Sequence, residues 1–189
     1  MNIKTGLSFY VSALLLCSMW SFRTYKPVGP YRCENGKVFI KSEASLELIQ
    51  ARSKKLRGAI DPTNNSFAWT VETSSFEGFN SPLQREHFNE NYMESTKYPK
   101  VSFSGKIIEK LDFQTDGVYT VRAKGKLMAH GIEQERIIRS ELEVIGNKIR
   151  VRSQFTVPLT DHNISIPHIV YQKIAEEVSL SIEAELEAK

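Results

Sequence analysis

Four histidines are the residues of this chain best suited to proton transfer or metal binding. His162 and His168 form the one close pair, with Asp161 as a candidate third ligand, but they lie in an irregular, proline-flanked stretch. We therefore predict no metal site and expect the histidines, including His87, to be structural, with hydrogen-bonded ring nitrogens. His130 stands before a glycine at a predicted turn, where its side chain would bond local backbone.

Nucleophilic and cofactor motifs do not occur in the sequence. It has no phosphate-binding glycine loop, no Gly-x-Ser-x-Gly and no His-Glu-x-x-His. A Cys-x-x-Cys-His haem-attachment motif is also absent. Cys33 is the single cysteine outside the N-terminal segment, so we expect a lone, inert thiol. We predict no catalytic residue and no cofactor, and hence a protein that is not an enzyme.

Length and composition indicate one ordinary folded domain. The chain has 189 residues, of which 41% are apolar and 25% charged, with a net charge of +3. A chain of this size can bury a sizeable core without disulfides. The mild, dispersed positive charge is not that of a nucleic-acid-binding surface, and we predict no nucleic-acid partner.

The N-terminus resembles a secretory signal. Lys4 precedes an apolar run over residues 7–20, which is shorter than an ordinary membrane span. We assign residues 1–22 to a signal peptide or N-terminal anchor, residues 23–36 to a tether and residues 37–189 to the folded domain. Cys17 follows three leucines as in a lipoprotein signal, except that Leu16 occupies the place of a small residue. The prediction is an exported protein, periplasmic or secreted, or one held at the membrane through its N-terminus.

Beyond residue 36 the sequence alternates between apolar and polar residues, which is typical of antiparallel strands. Residues 119–127 and 149–157 show the pattern most clearly. We predict an all-β fold of about eight strands, drawn from the spans 37–43, 45–52, 55–61, 65–73, 100–112, 117–129, 132–145, 147–158 and 174–188. One α-helix, at about 82–94, begins with Ser81 as N-cap and Pro82 at its first position.

Periodicity alone leaves two architectures open, a closed barrel and a sandwich of two sheets. Several inward positions carry small residues: Gly58, Gly105, Ala123, Gly125, Ser153 and Ala184. In a barrel these positions would leave volume for a ligand. Alternatively, the glycines mark bulges and sharp coiling of the strands.

Four segments resemble the YceI-like polyisoprenoid-binding family. They are residues 56–61 (Leu-Arg-Gly-Ala-Ile-Asp), 86–88 (Glu-His-Phe), 98–103 (Tyr-Pro-Lys-Val-Ser-Phe) and 125–132 (Gly-Lys-Leu-Met-Ala-His-Gly-Ile). Their order and spacing match the family over about residues 37–188. Two places depart from the family pattern: residues 155–164, and Ala129, which stands where an isoleucine is usual. Both departures concern the polar end of a ligand site more than the fold.

The resemblance implies an antiparallel lipocalin-like β-barrel that holds a long isoprenoid, quinone-like or similar amphiphilic lipid in an apolar lumen. The residues that we expect to line the lumen are Leu46, Leu48, Phe67, Trp69, Phe103, Ile107, Tyr119, Val121, Leu127, Leu142, Val151, Phe155 and Ile182. Those expected at its mouth are Phe88, Tyr92 and Met93. Each is equally well explained as plain core. On this basis Gly125→Leu should block binding and leave most of the fold intact.

Two further kinds of partner follow from the sequence. Arg52, Lys54, Lys55 and Arg57 form the densest basic cluster, which is either a solvated hairpin tip or a site of transient contact with an anionic membrane. A homodimer would form through strand edges left by incomplete closure. The alternative to a lipid carrier is an extracytoplasmic interaction or stress-response module with a solidly packed barrel and no small ligand.

Overall fold

The computed structural model describes residues 29–188 and shows a closed barrel of eight antiparallel strands. The strands pair in chain order, and the last pairs with the first. They are β1 (Tyr31–Glu43), β2 (Leu48–Asp61), β3 (Ser66–Glu72), β4 (Lys100–Ile107), β5 (Gly117–Ala129), β6 (Ile132–Ile145), β7 (Lys148–Pro158) and β8 (Glu177–Ala188). The predicted fold class is confirmed, and closure decides between barrel and sandwich. The predicted signal peptide or anchor lies outside the described residues.

Alternation along the strands separates an apolar interior from a charged wall. On β5, Val121 and Ala123 are buried while Arg122 and Lys124 are exposed. Cross-strand ion pairs run along the outside, such as Lys124 Nζ to Glu135 Oε1 at 3.2 Å. Exposed pairs of this kind contribute little to stability, so the register depends chiefly on the buried face.

The barrel begins earlier in the chain than the sequence indicated. Residues 31–36, predicted as part of the tether, belong to β1, and Tyr31 and Cys33 are buried. Asn35 and Gly36 are residues typical of a turn that would interrupt the strand. In the structure they cause only an irregularity in the β1–β2 register, and the strand continues. A Cβ on Gly36 would stand 3.1 Å from Leu56 Cδ2, so glycine lets the strand continue through a crowded place.

Strand β2 runs unbroken where two shorter strands were predicted. The basic cluster at residues 52–57 therefore lies on the barrel wall rather than at a hairpin tip, and the hairpin-tip prediction was wrong. Ala51, Ser53 and Leu56 alternate with these basic residues and are buried. Because β2 directs these three side chains into the barrel, the four basic side chains point into solvent.

The helical insertion starts as predicted and ends sooner. Ser81 Oγ accepts a hydrogen bond from the Gln84 backbone N–H at 3.1 Å, and α1 spans Pro82–His87. A π-helical turn then covers Phe88–Tyr92. The predicted end at about residue 94 is therefore wrong for the α-helix, although the chain stays helical to Tyr92.

The inward glycines admit close neighbours and do not leave space. A Cβ on Gly58 would stand 2.0 Å from Trp69 Cε3, since the indole ring covers this glycine from the paired strand. Gly105 and Gly125 face each other across β4 and β5. A Cβ on Gly125 would stand 2.3 Å from the Ser104 carbonyl oxygen. Contrary to the expectation from the sequence, we therefore expect Gly125→Leu to disrupt the pairing of β4 and β5.

Closure also removes the reason given for a homodimer. Strand β1 pairs with β8 over Lys37–Lys41, so each of the eight described strands has two neighbours.

Within residues 29–188, no helix has the length and apolarity needed to span a bilayer.

Candidate functional site

The two ends of the barrel differ in what covers them. At the end where β1, β3, β5 and β7 finish, the chain places the helical insertion and the long segment at residues 159–176. We call this the open end. The opposite end carries only shorter connections, at residues 62–65, 108–116 and 146–147. Most of the chain that is not strand therefore surrounds one opening.

The half of the barrel away from the open end is packed solid with buried side chains. Tyr31 lies against Phe113 with ring centroids 6.2 Å apart, and Ile149 and Leu186 are fully buried. Tyr119 closes this half, its hydroxyl donating a hydrogen bond to the Thr115 carbonyl at 2.9 Å. These contacts form the stabilising core of the domain.

The other half contains a cavity of about 470 Å³ beneath the open end. Its wall is formed by inward side chains of β1 to β5, β7 and β8, and its lid by the helical insertion and residues 159–174. The apolar residues that define it best are Ile40, Ile49, Ala51, Phe76, Phe79, Leu83, Phe88, Ala129, Ile164, Ile174 and Leu180. This is the volume and lining of a small-molecule site.

A second, smaller cavity of about 100 Å³ lies next to the first, toward the packed half. Five residues border both spaces: Val38, Val71, Val101, Leu127 and Leu180. The two spaces are therefore adjacent inside the barrel.

The predicted lumen residues divide into three groups. Six border the smaller cavity, namely Trp69, Phe103, Leu127, Val151, Phe155 and Ile182, and Leu127 borders both. Five belong to the packed half and border neither cavity, namely Phe67, Ile107, Tyr119, Val121 and Leu142. The predicted mouth residues Phe88, Tyr92 and Met93 all border the larger cavity. Burial raises the pKa of the Tyr92 hydroxyl.

Leu46 and Leu48 are not lumen residues, and that prediction was wrong. Their side chains are 67% and 45% exposed, because the hairpin between β1 and β2 carries them outside the barrel. The Leu46 backbone N–H donates to the Gln172 carbonyl at 2.9 Å, which places this hairpin against the segment containing Ile169 and Tyr171. Leu46, Leu83, Ile169 and Tyr171 are thus exposed apolar residues at the open end; we call them the rim.

Two histidines hold the lid segment to the barrel. His130 occupies the two-residue turn between β5 and β6 with a left-handed backbone (φ 49°), and its Nδ1 donates to the His162 carbonyl at 3.0 Å. The predicted turn is confirmed, but its backbone partner is distant in sequence rather than local. The Tyr98 ring packs edge-on against His130 with centroids 4.8 Å apart. Two of the segments that carry the family resemblance therefore meet here.

His162 differs from the satisfied structural histidine that we predicted. It is 1% exposed, and its Nδ1 donates to the Ile132 carbonyl at 3.1 Å, but its Nε2 is buried without a hydrogen-bond partner. The side chain borders the larger cavity. Cys33, by contrast, is the inert thiol that the sequence indicated, since it is buried and burial raises its pKa.

A closed antiparallel barrel with an apolar internal cavity open at one end belongs to the lipocalin-like class of folds. The YceI-like domain model matches residues 37–186, and the chain belongs to that family. A comparison with curated proteins gives no significant match.

Solved structures agree on the fold. A polyisoprenoid-binding domain from Saccharophagus degradans, implicated in plant cell wall breakdown, superimposes with a TM-score of 0.71 at 12% identity, over 86% of this chain and all of that one. Burkholderia cenocepacia BcnA gives 0.66 at 16% identity, over 79% and 95% of the two chains. The YceI protein of Campylobacter jejuni gives 0.54 at 16% identity, over 98% and 94%.

Several cavity residues escaped the sequence analysis. Ala51 attracts no attention as a small residue on a strand, and residues 165–174 show no periodicity. Ala129 and residues 155–164 were singled out only as departures from the family pattern, and not as cavity lining. The useful signal was the position of the long insertions, because all of them follow odd-numbered strands and so lie at one end of an up-and-down barrel. Inward residues nearest that end line the cavity, and those nearest the other end form the core.

Proposed function

We propose that this protein binds a long-chain isoprenoid, quinone-like or similar amphiphilic lipid in the larger cavity, and carries or sequesters it without catalysis. The observation behind the proposal is the apolar cavity of about 470 Å³ with its exit at the open end. The polyisoprenoid-binding domain of similar fold supports it. The alternative, an interaction module, requires a barrel that is packed solid throughout. In this protein only the half away from the open end is packed in that way.

The cavity volume limits how much lipid can be enclosed. A cavity of about 150 Å³ accommodates one benzene, so 470 Å³ accommodates about 18 carbon atoms, or three to four isoprene units. Each enclosed methylene contributes about 0.8 kcal/mol before the cost of ordering the chain. A longer tail has to extend into the smaller cavity or leave through the open end.

Native mass spectrometry of protein purified from its own host without detergent tests the proposal. We expect an added mass of a few hundred daltons that organic extraction removes as one hydrophobic species. A ligand-free mass that stays unchanged after incubation with prenyl alcohols and quinones would instead favour the packed interaction module.

We also propose that the chain is exported, on the basis of its N-terminal sequence. The mass of the polypeptide in the same spectrum reports whether residues 1–22 have been removed and whether Cys17 carries lipid. Recovery from the envelope or the medium with a shortened chain is the expected result, and a full-length chain confined to the cytoplasm would contradict it.

The rim is the surface through which we propose that the protein touches a membrane to exchange its lipid. Leu46 and Ile169 are 67% and 90% exposed at the open end, next to the cavity exit. The double substitution Leu46→Gln with Ile169→Gln should weaken binding to phosphatidylcholine vesicles at least fivefold in a sedimentation assay, because each apolar side chain loses its contact with the interface.

Matched substitutions elsewhere provide the control for the rim. Val118→Gln with Ile137→Gln removes two other exposed apolar residues, 62% and 59% exposed, away from the open end and should leave vesicle binding unchanged. Binding that requires anionic lipid and ignores the rim substitutions would show that the contact is electrostatic and involves the basic wall of β2.

A further inference from the structure

We propose that His162 Nε2 is the acceptor for the polar head of the bound lipid, and that this head carries a hydrogen-bond donor. The inference rests on the proposed lipid-binding function and narrows its ligand class. Its basis is a buried nitrogen with no hydrogen-bond partner on a side chain that borders the larger cavity. Leaving a buried acceptor without a partner is unfavourable, and a suitable ligand would recover that cost.

The role of Nε2 follows from what the other ring nitrogen does. The Ile132 carbonyl can only accept, so Nδ1 carries the hydrogen of the 3.1 Å bond that joins them. In the neutral imidazole Nε2 then bears a lone pair and accepts. Since the two nitrogens lie on different edges of the ring, the bond to β6 does not engage Nε2.

The backbone around His162 is fixed firmly enough to hold this atom in place. The Arg136 guanidinium donates to Asp161 Oδ2 at 3.0 Å, and Gln134 Nε2 donates to the Asp161 carbonyl at 2.7 Å. On the other side, Asn163 adopts a left-handed conformation (φ 54°) that ends the short 3₁₀ turn Leu159–His162. With the bond from His130 to the His162 carbonyl, the residue is anchored from three sides.

Three other polar side chains bordering the cavity are engaged in bonds within the protein. Ser42 Oγ accepts from the Ala175 backbone N–H at 2.9 Å, and Ser81 Oγ caps α1. Glu47 Oε1 accepts from Gln84 Nε2 at 2.9 Å. These bonds stabilise the lid, whereas the His162 nitrogen stabilises nothing in the protein itself.

An acceptor selects among amphiphiles by their heads. A hydroxyl, such as that of a prenyl alcohol or a hydroquinone, or an undissociated carboxylic acid donates to Nε2. A quinone carbonyl or an ether oxygen offers no hydrogen and would leave the nitrogen unpaired. Sites built to bond a hydroxyl discriminate strongly against analogues that lack it.

A matched pair of probes tests the inference: farnesol and its methyl ether, titrated by calorimetry into the folded protein. We expect farnesol to bind about tenfold or more tightly than the ether. In His162→Asn the side-chain amide can keep the hydrogen bond to the Ile132 carbonyl, whereas Nε2 is lost. The ratio of the affinities for farnesol and for the ether should therefore fall to near one, and binding of the ether should persist. Equal affinities in the unsubstituted protein, or a preference retained by His162→Asn, would overturn the inference.

The outcomes distinguish this inference from the function on which it rests. If neither probe binds, lipid binding itself fails and the inference fails with it; if both bind equally, only the role of His162 fails. Nitrogen NMR of the unsubstituted protein gives a measurement independent of the variant's folding. The His162 Nε2 resonance should move upfield when farnesol is added and stay in place with the ether, and an unmoved resonance with bound farnesol would overturn the assignment.

Discussion

Ala129→Phe is expected to weaken lipid binding about 100-fold or more while leaving the domain folded. Ala129 is a buried residue at the end of β5, on the wall of the larger cavity. The added ring occupies about the volume of one benzene, near a third of the 470 Å³ available. About six carbon atoms of lipid would be displaced, each contributing about 0.8 kcal/mol, so a loss of about 3 kcal/mol in binding free energy is conservative.

Calorimetric titration with farnesol measures the effect, and thermal unfolding verifies the fold. Ala51→Phe fills the same cavity from β2 and should act in the same direction. Ala68→Phe is the matched control, since Ala68 is exposed on β3 and the same ring would project into solvent. Undiminished affinity in both Ala129→Phe and Ala51→Phe would show that the lipid does not occupy this cavity.

Gly125→Ala is expected to lower the free energy of unfolding by about 3 kcal/mol or more. The new Cβ would stand 2.3 Å from the Ser104 carbonyl oxygen and 3.1 Å from Gly105 Cα, which are backbone atoms that no rotamer change can move. Strands β4 and β5 would have to separate where Gly105 and Gly125 pair. Gly125→Leu would then lose lipid binding through unfolding rather than by blocking a tunnel.

Chemical denaturation of Gly125→Ala beside Gly117→Ala isolates this close approach. Gly117 begins the same strand, but a Cβ there would be 3.5 Å from its nearest neighbour, the Tyr119 ring, which is ordinary contact. We expect Gly117→Ala to change stability by less than about 0.5 kcal/mol. Equal stabilities for the two variants would mean that the β4–β5 pair tolerates a side chain between its backbones.

The approximate number of strands, the buried face of each strand and the start of the helix could be predicted, because each depends on neighbouring residues in the sequence. Alternation over residues 119–127 reports which face of β5 is buried, and Ser81-Pro82 marks a helix start through its own backbone. The start of β1 was missed for the same reason. Asn35-Gly36 is a turn signal locally, but in the folded chain it is an irregularity within a paired strand, close to Leu56 and Ala184.

The candidate site was only half predictable. Phe88, Tyr92 and Met93 follow a recognisable helix start and were predicted at the mouth, and in the structure all three border the larger cavity. Phe67 and Phe103 both face inward on paired strands, with ring centroids 4.9 Å apart. Alternation predicts only that each side chain points inward. Phe103 borders a cavity and Phe67 belongs to the core because the two residues lie at different depths along the barrel axis.

The sequence by itself determined an all-β antiparallel domain of this family, because strand alternation and turn residues are properties of neighbouring positions. Only the tertiary structure decided that the sheet closes, that one half is solid and that the other holds a cavity. It also decided that His162 is buried with Nε2 unpaired. These features depend on which distant residues meet, as His162 meets the Ile132 carbonyl of β6, and not on any local pattern.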